Sequence, residues 1–299
     1  MSPTLKGMLA SAGGILLLTL NDAVSKYLTQ SFPVGQVICL RQAATLIFIV
    51  PYVMLATGWG ALRVVSWPGQ LTRGALFVAG ASMMVLGLSL LPIATVITIM
   101  FVSPTFIAAL SMPMLAERVG MSRWIAILAG FAGVLIVVRP GGAAFEWALL
   151  IPVAGSFVNA LRDIMTRRLA RTETSIGILF WSAIIVTAAS ATTAVSGWQP
   201  VSLDAVAWFA ALGVLNAGAH FLLIEGYRLA EAAVVAPVRY TGLIWAVVLG
   251  YVVWGDLPDA WVVAGAAVIV ASGVYMIRSE SRPRPKIEAQ PQMNADIRG

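Results

Sequence analysis

The feature that most constrains this chain is a succession of ten apolar runs, each about as long as a membrane span. They cover roughly residues 7–29, 33–57, 71–91, 93–116, 122–138, 145–168, 174–196, 203–228, 232–254 and 258–277. A helix needs about 20 apolar residues to cross a hydrocarbon layer of about 30 Å. Gly, Pro, Trp and charge punctuate the runs, as in Gly58-Trp59-Gly60, Trp67-Pro68-Gly69, Arg139-Pro140-Gly141-Gly142 and Gly197-Trp198-Gln199-Pro200. Of the 299 residues, 60% are hydrophobic and 11% charged, against roughly 25% charged in a soluble domain. Such a chain cannot cover itself for water. The expected fold class is an all-α integral membrane protein with ten transmembrane helices.

The runs also repeat. The stretch from Leu90 to Pro140 reads as two apolar helices joined by a charged turn, and a blurred copy follows Arg228, with Asp256 standing against Glu117 and Gly273 against Gly133. In the first run of each half, Asp22, Ser25, Lys26 and Leu28 lie over Asp163, Thr166, Arg167 and Leu169, sharing the pattern Asp-x-x-[Ser/Thr]-[Lys/Arg]-x-Leu. Five spans is an odd number, so the second half enters the membrane from the opposite side. Two inverted five-helix repeats are the plan of secondary transporters, with substrate bound near the midplane between the halves. The expected division is a first repeat over 1–140, a second over 141–278 and a tail over 279–299. The tail is polar, Pro-rich and free of aromatics, so it is expected to be disordered.

The net charge of +6 does not point to nucleic acid, because the basic residues flank apolar spans. With the N-terminus inside, nearly all Lys and Arg fall on the cytoplasmic side, Arg63, Arg73, Arg162 and Arg228 among them, leaving Lys26 and Arg139 opposite. That asymmetry places both termini in the cytoplasm of a cell with the protein in its inner membrane. The first run continues into Asn21-Asp22 with no cleavage site, so it reads as a retained helix. One Cys39 and one His220 exclude an internal disulfide and a zinc or thiolate site, so no metal or cofactor is expected. An integral membrane enzyme would need convergent acid, His or Cys groups, which the chain lacks.

Charge inside a span is costly and is a functional hypothesis by default. Asp22 and Arg41 each lie several residues from the outer end of a span, roughly 10 to 12 Å deep at 1.5 Å per residue, and are expected to pair. Glu225, Arg239 and Asp163 are expected in one shallow inner layer. Two readings compete: the clusters grip the charged ends of a zwitterion and exchange partners as the halves rock, or they are static pairs and snorkelling ends. Arg162, Arg167, Arg168 and Arg228 read as topology markers. Asn21, Asn159 and His220 add hydrogen-bonding groups. His220 titrates near neutrality when unperturbed, which makes it a candidate proton carrier beside Asp22 and Glu225. Tyr240 and Trp245, just beyond Arg239, are candidates for stacking on an aromatic or methylated ligand.

Five plus five spans, the NDAVSKYL stretch followed by Arg41, the Leu-Ser-Leu-Leu-Pro-x-Ala turn, and a helix from Pro104 to Glu117 ahead of GVLIV together resemble the drug/metabolite transporter superfamily, EamA family. The resemblance covers nearly the whole chain except the tail. It implies a ten-helix basket whose central cavity is formed mainly by helices 1, 3, 4, 6, 8 and 9, with proton- or gradient-linked movement of small metabolites. Members include exporters of amino acids, aromatic ones among them, and importers of S-adenosylmethionine or riboflavin. Asp256 departs from the Glu that commonly closes the ninth helix. The expectation is a secondary-active transporter of small organic metabolites working by alternating access, foremost an exporter of amino acids or their relatives. The alternative is an uptake transporter for a cofactor-like metabolite. Its partners would be the small-molecule substrate, a coupled proton and membrane lipid, with no nucleic acid; a monomer is compatible with this plan, and the sequence does not fix the oligomeric state.

Overall fold

The computed structural model describes residues 3–103, 105–107, 109–110, 121–140, 146–169, 172–229, 238 and 240–280. Among them are ten helices: α1 (Pro3–Leu28), α2 (Val34–Tyr52), α3 (Trp67–Leu90), α4 (Ile93–Met100), α5 (Met121–Val138), α6 (Leu150–Leu169), α7 (Ser175–Ala191), α8 (Leu203–Leu229), α9 (Thr241–Trp254) and α10 (Ala260–Glu280). Six are long and apolar enough to cross a membrane, and four are shorter apolar helices. The described residues contain no strand. The expected all-α membrane fold is what the chain adopts.

Local chemistry sets the helix ends. Ser66 accepts the N–H of Gly69 at 3.2 Å to start α3, and Thr174 accepts that of Gly177 at 3.0 Å to start α7, each satisfying a donor that the first turn leaves open. Pro51 lies inside α2, where it removes a backbone donor. The chain then relaxes into one π-helical turn, Val53–Thr57, closed by a 2.7 Å bond from the Gly58 N–H to the Val53 carbonyl. Gly58 holds φ +74°, a value that favours glycine. Two boundaries differ from expectation. A 3-10 turn over Trp147–Leu149 delays α6 to Leu150, and α10 runs on through Glu280, past the expected start of the tail. Residues 281–299, Pro104 and Glu117 lie outside the described residues.

Packing shows the relation of the halves. α1 packs along α8, α3 along α6, α2 along α7 and α5 along α10. In every pair the start of one helix meets the end of the other. Ser11 sits beside Gly226 while Tyr27 stacks on Trp208; Gly69 sits beside Leu169 while Gly87 faces Pro152. Gln36 bonds Gln199 while Trp181 bonds Leu62; Gly130 faces Ser272 while Gly265 faces Val137. Exchanging the halves converts the α1/α8 pair into α6/α3 and returns α2/α7 and α5/α10 to themselves. That is a two-fold relation. Because α2 is antiparallel to α7 and α5 to α10, equivalent helices run in opposite directions, so the repeat is inverted. The end of the bundle where α1 begins is hereafter the near face.

Lipid explains the outer surface. Leu55, Leu128 and Val252 are 88%, 65% and 72% exposed, which a chain solvated by acyl chains tolerates. Between helices small residues permit close approach. A Cβ on Gly265 would sit 2.7 Å from the Gly133 carbonyl oxygen, and one on Gly133 3.0 Å from that of Gly265. Trp59, Trp67, Trp147, Trp208 and Trp261 are exposed near helix ends, where indole suits the membrane interface.

Candidate functional site

A cavity of about 430 Å³ lies between α2, α3, α7 and α8, within the size range of roughly 300 to 1,000 Å³ that suits small-molecule ligands. Because the two-fold exchanges α2 with α7 and α3 with α8, the cavity lies on the seam between the halves. Its wall combines Phe48, Phe77 and Phe221 with Thr45, Asn216 and His220. Asn216 and His220 are four residues apart and so share one face of α8. The Asn216 amide donates to Thr45 Oγ1 at 3.1 Å, and that hydroxyl donates to the Arg41 carbonyl at 2.9 Å. The wall is therefore apolar with a few fixed polar groups. The cavity is lined by α2, α3, α7 and α8; the expected basket cavity, on helices 1, 3, 4, 6, 8 and 9, borders residues outside the described set.

Of two arginines expected at a membrane surface, one lies inside and the other is partly covered. Arg73 is buried on α3, and its Nε donates to Thr166 Oγ1 at 2.7 Å while Nη1 donates to Ser182 Oγ and reaches the Ile178 carbonyl. Arg162 on α6 pairs with its neighbour Asp163 at 2.9 Å. Both guanidinium groups lie over the Phe77 ring, Arg73 at 6.0 Å and Arg162 at 5.2 Å from its centroid. The charges of Arg162, Arg73 and Arg41 all reach His220. Sequence counting misplaced Arg73 because α3 begins at Trp67, capped by Ser66, and not at 71. That earlier start carries Arg73 into the second turn. Arg162 likewise lies almost two turns before the end of α6. Asp163 pairs with Arg162; its expected companions Glu225 and Arg239 fall on side chains outside the described residues, as do Arg167 and Arg228.

The remaining expected residues divide between brace and wall. Arg41 is buried and close enough to Asp22 for each to feel the other's charge, but the two do not touch, and Arg41 Nε is buried without a hydrogen-bond partner. The Asn21 amide donates to the Leu212 carbonyl at 3.0 Å and ties α1 to α8. Asn159 turns its Oδ1 to Gly80, 2.5 Å from where a Cβ would stand, and that oxygen is unpartnered. The Tyr240 ring meets Phe101 at 5.3 Å, and its hydroxyl fills the space a Cβ on Gly273 would need. The Trp245 Nε1 is a buried donor without a partner among the described residues. Of the expected residues, His220 lines the cavity itself.

Sequence reasoning also missed Glu173. Buried at the near face, it accepts the N–H groups of Val65 at 3.1 Å and Ser66 at 2.9 Å, and the Gln70 amide. Thr174 Oγ1 donates to the Ala61 carbonyl at 2.5 Å beside it. An acid between two threonines directly ahead of an apolar run was the available signal. At the opposite face Gln36 and Gln199 exchange two bonds, at 2.8 and 3.0 Å. The halves are therefore clasped at both ends of the α2/α7 pair. The two basic residues of that opposite face are also held: Lys26 donates to the Leu91 carbonyl at 2.6 Å, and Arg139 pairs with Asp259 at 2.5 Å.

Inverted halves of apolar helices around a cavity on their seam, with charge buried beside it, define a multi-pass membrane transporter. The chain matches the EamA-like transporter family over residues 5–139 and 146–279. It belongs to that family, part of the drug/metabolite transporter superfamily, and is not an enzyme. The S-adenosylmethionine uptake transporter of Rickettsia bellii is 28% identical over 89% of this chain and 91% of its own length. The riboflavin transporter of Rhizobium johnstonii is 30% identical over 91% of this chain and 90% of its own. A solved crystal structure, 19% identical, shares the fold with a TM-score of 0.65 over 92% of this chain and 99% of that one. Neither relative is named for an amino acid.

Proposed function

We propose that this protein is a secondary-active transporter that takes up a cofactor-like heteroaromatic metabolite, of the S-adenosylmethionine or riboflavin kind, by alternating access. The observation that carries the reading is the cavity on the two-fold seam, walled by Phe48, Phe77 and Phe221 around Asn216 and His220. Aromatic walls suit a flat ring, and a few amides and imidazoles fix its edge. A free amino acid would instead need an open cation and an open anion facing one another, and neither Asp22 nor Arg41 lines the cavity. Residues 1–140 and 141–278 act as the two rocking units, with both termini cytoplasmic and the bundle in the inner membrane, as the basic residues argue. Asp22, opposed by Arg41 and set within α1, is the carrier of a coupled proton.

The test is counterflow in proteoliposomes. Vesicles preloaded with unlabelled riboflavin, S-adenosylmethionine or an amino acid mixture are given the labelled counterpart outside. Saturable exchange of a heteroaromatic compound with no exchange of amino acids is expected. Amino acid exchange alone would return the reading to export.

A further inference from the structure

We propose that Arg73 and Arg162, both lying over the Phe77 ring at the cavity wall, form a positively charged collar that makes this site selective for uncharged or anionic ring systems and excludes permanent cations. The inference rests on the transport reading above and sharpens it.

The argument is one of compensation. Arg73 is buried, and its donors meet Thr166 Oγ1, Ser182 Oγ and the Ile178 carbonyl, three neutral oxygens. Hydrogen bonds to neutral oxygens solvate a guanidinium but leave its charge in place. The carboxylate that reaches both arginines is Asp163, and it is bonded to Arg162 through Nε at 3.2 Å and Nη2 at 2.9 Å. One carboxylate thus stands between two cations. Among the described residues, Asp22 opposes Arg41, and the Glu173 carboxylate is taken up by the Val65, Ser66 and Gln70 donors at the near face. Among the described residues, the group formed by Arg73, Arg162 and Asp163 therefore carries one net positive charge beside the cavity.

Such a charge acts far more strongly in a lipid-embedded site than in water. It repels a sulfonium and favours a ligand edge rich in carbonyl oxygens, or an anion. Phe77 extends the effect, because its ring lies under both guanidinium groups and at the same time lines the cavity. A face that attracts cations in an ordinary aromatic site already has two cations stationed over it.

A matched pair of probes isolates the charge. S-adenosylmethionine and S-adenosylhomocysteine differ by one methyl group and the positive charge on sulfur. Each competes with labelled riboflavin for the purified protein in proteoliposomes. The uncharged thioether is expected to compete at least tenfold better than the sulfonium. Arg162→Gln, which cancels the surplus, narrows the ratio to below threefold; Arg162→Lys preserves it; Asp163→Asn, which adds to the surplus, widens it. These opposite shifts, in variants checked for unchanged thermal unfolding, are ones that a purely structural role would not produce. Equal competition by the two probes, or a ratio indifferent to all three variants, overturns the collar. If neither riboflavin nor either adenosyl compound binds, the transport reading itself fails, and the collar with it.

Discussion

The carboxylate of Glu173 accepts the backbone N–H of Ser66 at 2.9 Å, so a residue of the second half closes the first turn of a helix in the first. The same oxygen takes the N–H of Val65, and the second oxygen takes the Gln70 amide. Glu173→Ala should strand these donors and lower stability by about 2 to 4 kcal/mol, the usual cost of leaving buried polar groups unpaired. Glu173→Gln, which keeps an acceptor, should lose less. Thermal unfolding in detergent measures both, and equal melting temperatures for wild type and Glu173→Ala would show that the clasp contributes nothing.

Arg41 and Asp22 form a charge pair without contact, and removing one partner leaves the other exposed to a low-dielectric interior. Breaking a buried pair costs about 3 to 5 kcal/mol, whereas removing both partners together costs much less. Arg41→Ala is therefore expected to reduce uptake at least tenfold and to lower the melting temperature. The double variant Asp22→Asn with Arg41→Gln should recover stability but not gradient-driven uptake. Uptake rates in proteoliposomes with and without an imposed pH gradient separate these outcomes.

The backbone contact between Gly133 and Gly265 leaves no room for a side chain. Gly265→Leu would drive α10 from α5 and is expected to cost about 1 to 3 kcal/mol, as overpacking generally does, with loss of transport following from the displaced helix. Gly130→Ala should act in the same direction, since its Cβ would meet Thr105 Oγ1 at 2.5 Å. Unfolding midpoints of the two variants provide the check.

Asp259 caps α10 outside the membrane. Its carboxyl lies below the usual value of 3.8 because the Val262 N–H donates to it at 2.8 Å, with Arg139 adding to the effect. A depressed carboxyl gives stability that is fully present above pH 3.8 and is lost as pH falls through the lower folded value. The group is largely exposed, so the effect is small. Asp259→Ala should cost about 1 kcal/mol at neutral pH, in the range of lost helix caps, and should flatten the acid limb of the melting-temperature profile. An unchanged acid limb would assign the cap no role.

The apolar runs were legible because lipid imposes length and hydrophobicity together, and the inverted repeat because an odd span number leaves no other arrangement. The neighbourhood of Asp22 and Arg41 was legible from depth alone. What sequence could not place depended on register and on distant partners. A shift of α3 to an earlier start turned Arg73 from a surface marker into an interior cation. Glu173 went unmarked because the N–H groups that bury it belong to Val65 and Ser66, in the other half. The cavity between α2, α3, α7 and α8 went unread for a similar reason: Thr45 and Asn216 meet only once both halves are folded.

The seam cavity sits on a two-fold, yet its furnishing is lopsided: α8 contributes Asn216, His220 and Phe221, while α3 contributes Phe77. The unequal walls mean that a guest in the cavity meets an amide and an imidazole from α8 for which α3 offers no counterpart, so the two halves hold its opposite edges by different chemistry.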